Sequence, residues 1–223
     1  MQNDNNINFG DRVNNFVQKN RKGILISVSA VFILIAGLIV FLSLQDVFNK
    51  RAIGEVEELN RRFDDVRFLI GNDQSASDIE ALLADLNAFA KNRRGIAGSK
   101  AWSMIAQIYS GREDWQQAES AWLNAAKTGD KTYLAPISLF NAAVAAEEQG
   151  KLEQAVQLLE QSVAHPFEFP AAPRAQFSIG RLHEQMNNYP AAVEAYRAVL
   201  INWQDIPVWQ NLARSRIAAI EIR

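Results

Sequence analysis

Two histidines, His165 and His183, and the acidic run Glu55, Glu57 and Glu58 are the residues of this chain whose types could do metal or acid–base chemistry. A zinc site needs three or four His, Cys or carboxylate ligands gathered at one point. Two separated imidazoles do not supply that. His165 precedes Pro166 in a loop-like stretch, and His183 falls among apolar residues at helical spacing, where a packed ring is expected. The three glutamates read as the solvated face of a helix rather than a catalytic carboxylate pair. No G-x-S-x-G, P-loop or H-E-x-x-H pattern occurs. The residues point to no enzyme, no cofactor and no metal. The chain also has no Cys, which excludes disulfides, thiol catalysis and a bacterial lipoprotein anchor but leaves the redox compartment open.

The function must then lie in surfaces. The 223 residues are 48% hydrophobic and 22% charged, with net charge -2. This is globular composition, with no basic excess to suggest nucleic acid. Residues 23–45, "GILISVSAVFILIAGLIVFLSLQ", carry no charge. Fifteen large apolar side chains lie between Ile24 and Leu44. At roughly -0.3 to -0.6 kcal/mol each near a membrane centre, they favour insertion. The run exceeds the apolar core of a signal peptide, and no A-x-A-like site follows it, so an uncleaved single-pass anchor is expected. Arg12, Lys19, Arg21 and Lys22 precede it, whereas Lys50 and Arg51 are the early basic residues after it. The bias puts the N-terminus in the cytoplasm and the remainder outside. Four basic and two acidic residues give the first 22 residues +2, leaving -4 on residues 23–223. Residues 1–10 read as disordered, and residues 11–22 as a short helix on the inner leaflet or a solvated tail.

The rest of the chain is helical in pattern. Trp102, Ile105, Ala106 and Tyr109 share one helical face, "SGRED" reads as a turn, and Ala118, Trp122 and Ala125 share a second face. Thirty-seven residues on, Leu139, Ala142, Ala143 and Ala146 repeat the first face, Gly150 the turn, and Ala155, Leu159 and Ser162 the second. After another 37 come Ile179, Gly180 and His183, then Ala192, Tyr196 and Val199, with Gln176 in place of a large residue. Upstream, Phe63, Val66 and Ile70 with Ile79, Leu83 and Leu86 form a degenerate unit, with Ser77 and Glu80 spaced as a capping box at its second helix. Downstream, Trp209, Leu212 and Ala213 begin a unit with one helix. Ala52, Val56, Leu59, Phe63, Val66 and Ile70 also alternate by four and three. Either a short dimerising coiled coil or a helix laid on the array fits that spacing.

This small-and-large pattern resembles the tetratricopeptide repeat (TPR), a 34-residue unit of two antiparallel helices. The resemblance implies an all-α fold. After the membrane helix comes an α-solenoid of TPR-like hairpins closed by a C-terminal capping helix. The expected divisions are a basic tail at 1–22, the anchor at 23–45, and a linker helix with the degenerate hairpin at 46–98. Three repeats follow at 99–206 (99–132, 136–169 and 173–206), and the cap at 207–223. The first helices of TPR units commonly line a concave, protein-binding face. Carried onto this sequence, those positions give Lys100, Ser103 and Gln107, then Ile137, Phe140, Val144 and Glu147. The third unit adds Arg174, Phe177, Arg181 and Glu184, and the cap Gln210 and Arg214. Apolar anchors beside charges suit a peptide or partner helix. Phe140 and Phe177 could equally pack between repeats. The Lys/Asn clamp of some chaperone-binding TPRs is missing, since Ser103 and Gln107 stand in its places.

A basic tail, one anchor helix and an exported array together resemble the bacterial inner-membrane TPR proteins of the ancillary Sec-translocon-subunit type. That resemblance implies translocon subunits, periplasmic chaperones or newly exported clients as partners. A structural scaffold of an envelope or cell-division complex is the alternative reading.

Overall fold

The structure, a computed structural model, describes residues 9–71, 76–167 and 169–222. The expected disorder of residues 1–10 lies, for residues 1–8, outside the described residues. No strand occurs among the described residues. The chain divides into two compact units, Met1–Arg51 and Ala52–Arg223.

In the first unit, α1 (Phe9–Lys19) realises the helical reading of the basic tail. The next helix, α2 (Arg21–Val66), carries the apolar run. Its stretch Arg21–Ser43 is long and apolar enough to cross a membrane, and none of its described side chains is buried.

The second unit begins within α2. Ala52, Val56, Leu59 and Phe63 lie in the main core of this unit. The coiled-coil positions are therefore spent on the chain's own interior. The degenerate unit departs from the expected helix at its end. The helix stops at Val66, a single 3-10 turn covers Arg67–Leu69, and Ile70 is extended. Gly71 follows at φ 91°, a conformation that costs glycine little. Ile70 still reaches the core: a Cβ placed on Gly111 would stand 2.8 Å from its Cγ2. The following helix, α3 (Ala76–Lys91), already includes Ala76. Ser77 thus lies inside its first turn instead of capping it.

Three hairpins follow: α4 (Gly95–Gly111) with α5 (Trp115–Thr128), α6 (Leu134–Glu148) with α7 (Leu152–Val163), and α8 (Ala172–Gln185) with α9 (Tyr189–Asn202). The last helix is α10 (Pro207–Glu221). From α3 onward each helix packs on the next, and α4 also meets α6, as α8 meets α10. The hairpin turns are residues 112–114, 149–151 and 186–188. The middle residue of each has positive φ: Glu113 at 58°, Gly150 at 74° and Asn187 at 59°. Asp114 and Asn188 then accept the backbone N–H of Gln117 (3.2 Å) and Ala191 (3.4 Å), capping α5 and α9. Connections between hairpins are longer, above all residues 164–171 before α8.

The small residues set the helix spacing. Ala106, Ala118, Ala125, Ala142, Ala146, Ala155, Ala175, Ala192 and Ala213 are all fully buried. Opposite them, Trp122, Leu159 and Tyr196 fill the space between helices. The third hairpin goes further. Where the first two have Ala106 and Ala143, it has Gly180, and a Cβ there would stand 2.6 Å from the Tyr196 ring. Ring and glycine are thus a matched pair.

Two substitutions test this packing. Ala118→Leu overpacks the first hairpin, and Gly180→Ala drives a methyl into the Tyr196 ring; each should lower unfolding free energy by roughly 1–3 kcal/mol. Denaturant melts of the full chain in neutral detergent measure it. Parental midpoints for both would show the helices do not meet there.

Candidate protein-binding face

The face expected to bind partners is built by α4, α6, α8 and α10. Its first part is taken by the chain itself. The Lys100 ammonium donates to Glu57 of α2 at 2.5 Å, and Arg93 donates to Glu55 at 2.7 Å. Ser103 bonds back to the Ser99 carbonyl, and Gln107 remains exposed.

Beside Gln107 opens a cleft of about 570 Å3. Phe63, Phe68 and Ile70 form one wall, Trp115 and Trp122 another, and Val144 of α6 stands at its edge with Asn141. Phe68 is 81% exposed, with the Arg67 guanidinium 4.6 Å from its ring centre. Val144 is 37% exposed. The cleft thus has apolar walls with an exposed aromatic at its rim. Of the residues expected on the face, Gln107 and Val144 line this cleft; Phe68, Trp115 and Asn141 line it too and were not among those expected. The available signal was that Phe68 is a large apolar residue lying off the buried face of its segment.

The middle of the face is closed by the chain's own contacts. Phe140 is only 8% exposed. The Phe169 ring lies 6.2 Å away, and the Arg174 guanidinium stacks 5.3 Å from its centre. Arg181 of α8 makes a bidentate pair with Glu147 of α6, at 2.5 and 2.6 Å. That hydrogen bonding raises the Arg181 pKa above its ordinary value, outweighing burial. A smaller cleft of about 240 Å3 remains among Phe140, Val144, Glu147, Arg174 and Arg181.

At the far end the residues serve the junction with the cap. Phe177 is half-buried against Tyr196 (5.0 Å) and Trp209 (5.6 Å). Glu184 accepts from the Tyr196 hydroxyl at 2.6 Å and the Arg216 Nε at 2.9 Å. Gln210 is buried and donates to the carbonyls of Leu200 and Trp203, both at 3.1 Å, closing the C-terminus of α9. Arg214 bonds Gln210 in turn at 3.0 Å. The His183 ring borders a separate cleft, its Nδ1 buried without a hydrogen-bond partner among the described residues.

A family model for the tetratricopeptide repeat matches residues 103–169 and 159–206. A protein of Treponema pallidum (strain Nichols) described as a TPR repeat-containing protein is 32% identical over 232 residues, covering 95% of this chain and 94% of its own length. The chain belongs to the TPR family. Two solved structures share its fold. One is the putative kinesin light chain of Podosopora anserina, with nearly identical TPR-like repeats; the other is a single-substitution variant of the same protein. Their TM-scores are 0.56 and 0.58, at 20% identity over 74% of this chain and 86% and 85% of theirs. TPR arrays are protein-interaction scaffolds, and this one is a protein-interaction module. Within that frame, the apolar cleft at Phe68 and the exposed Gln107 and Val144 stay uncovered on the expected face. Phe140, Phe177 and Glu184 hold repeats together.

The junction is testable through Tyr196. Burial first, and then its hydrogen bond to Glu184, raise the Tyr196 pKa well above the ordinary value. The folded state holds that proton more tightly than the unfolded chain. The resulting stability is fully present below pH ~10, the unfolded tyrosine's pKa, and declines as pH rises through it. Tyr196→Phe should cost about 1–2 kcal/mol at pH 8 and flatten the alkaline decline in denaturant melts. An unchanged alkaline profile would remove Tyr196 from the network.

Proposed function

We propose that this protein is a membrane-anchored TPR adaptor at the outer face of a bacterial inner membrane. In this reading its array sits near the Sec translocon and holds periplasmic chaperones or newly exported envelope proteins. The observation that carries the proposal is an uncovered apolar helix in the same chain as an interaction array. From Leu25 to Leu42 the large apolar side chains are between 49% and 72% exposed. Water does not tolerate that much contiguous apolar surface, and hydrocarbon covers it well. The 23 residues of Arg21–Ser43 rise about 34 Å as a helix, enough for a ~30 Å core. The excess of basic residues before the span supports export of the array. The apolar cleft at Phe68 supplies the place for a partner's side chains.

A reporter active only outside the cytoplasm, fused after Arg223, should be active; an active cytoplasm-only reporter there reverses the topology. For the partners, the full chain is crosslinked in cells and purified in detergent. Translocon subunits and periplasmic chaperones are expected, and recovery of a fixed envelope or division complex instead would replace this reading. The double variant Phe68→Ser with Val144→Ser should lower partner recovery on the order of thirty-fold, the worth of about 2 kcal/mol. Both side chains are exposed, so melting should hardly change.

A further inference from the structure

A second cleft, about 740 Å3, opens elsewhere on the array, between the end of α3, the start of α4 and the α5–α6 connection. Lys91, Arg93, Arg94, Lys127 and Lys131 surround it, with Asp130 as the one carboxylate in its lining. Residues 52–223 carry 17 basic and 22 acidic residues, a net charge of -5. Five of those 17 cations therefore gather at one cleft of an otherwise acidic unit.

Most cations elsewhere in this unit are paired. Arg62 meets Asp85, Lys100 meets Glu57, Arg112 meets Glu80, Lys151 meets Glu119, and Arg181 meets Glu147. In this cleft Arg93 alone has an ion pair, with Glu55. Among the described residues, no ion pair or hydrogen bond engages the side chains of Lys91, Arg94, Lys127 or Lys131. Lys91 and Lys127 stand in the last turns of α3 and α5, where a cation complements the helix carbonyls. That accounts for two of the four and leaves Arg94 and Lys131 without a structural task. Like charges collected in a concavity repel one another and focus a positive field. The lining supplies more than charge: the Trp102 indole, the Asn124 amide and the hydroxyls of Thr128 and Thr132.

We propose that this cleft binds an acidic peptide segment of a protein partner. Glutamate and aspartate side chains match the cations, the indole offers a surface for their aliphatic stems, and Asn124 and the threonines can bond the peptide backbone. A lipid headgroup layer is flat and meets a concave cleft only at its rim, so shape favours the peptide. The proposal rests on the protein-interaction reading and adds a second surface to it.

The test is fluorescence anisotropy of a labelled Glu/Asp octapeptide with the full chain in neutral detergent. Saturable binding is expected at low salt, weakening as salt rises to about 0.15 M. Lys127→Glu with Lys131→Glu should weaken it at least about tenfold. Arg197→Glu, a charge reversal away from the cleft, should leave it within about twofold. No saturable binding by the parent, or equal loss in both variants, overturns the proposal. A second arm measures amine acylation of Lys91, Lys127 and Lys131 by mass spectrometry. Octapeptide should protect these lysines, and equal protection by phosphatidylglycerol nanodiscs or inorganic phosphate, with no peptide present, overturns the peptide assignment. Partner recovery with the Phe68 and Val144 variants reports on the apolar cleft separately. Octapeptide binding with unchanged recovery in those variants fails the first reading and keeps this one.

Discussion

The distance between helix axes is the constraint from which this array follows. Alanines at Ala106, Ala118, Ala125, Ala142 and Ala155 let the backbones come close, and Gly180 takes the same role further in the third hairpin. Close backbones leave space that large side chains fill, among them Trp122, Leu159 and Tyr196 at equivalent positions of the three hairpins. They also require tight turns, which is why three-residue connections with a left-handed middle residue recur. Buried alanine contributes little transfer energy itself. Its value is in the many contacts that close packing gives its neighbours.

Spacing fixes each hairpin, and carboxylates fix one hairpin against the next. Glu80 meets Arg112, Glu147 meets Arg181, and Glu184 meets Arg216. Glu119 is the most enclosed of the set: Gln149, Lys151 and Gln154, from the next repeat, all donate to it. A buried carboxylate such as Glu119 is tolerated only when its oxygens are satisfied, so that cluster holds its neighbours in place. These clusters also use up charges that a helix wheel would assign to the binding face.

That exchange explains what could be read from the sequence. The small-and-large pattern is local to each helix pair and repeats every 37 residues, so the hairpins and the cap were legible. The candidate face was only partly so. Helix position says that Lys100, Glu147 and Glu184 point out of their own helices. It does not say that Glu57, Arg181, Tyr196 and Arg216 come from other elements to meet them. Phe140 sits on the expected face yet is roofed by Phe169, which comes from the long 164–171 connection, and no periodicity governs a connection. Phe68 escaped for the opposite reason: the helix stops at Val66, so the residue leaves the helical register in which it would have been sought.

The core itself is divided. A large cluster runs from Ala52 to Ala195, while Ala192, Tyr196, Val199 and Ala213 form a separate small one with Phe177 and Trp209 around it. In a linear array each segment is supported only by its neighbours, so the end with the smaller core opens and recloses most often. Amide protons of α10 should accordingly exchange as a group ahead of those in α4–α7. A ligand bridging the last hairpin and its cap would slow that breathing. Occupancy at one end of the protein would then be recorded as a change in local motion, with no rearrangement of the repeats.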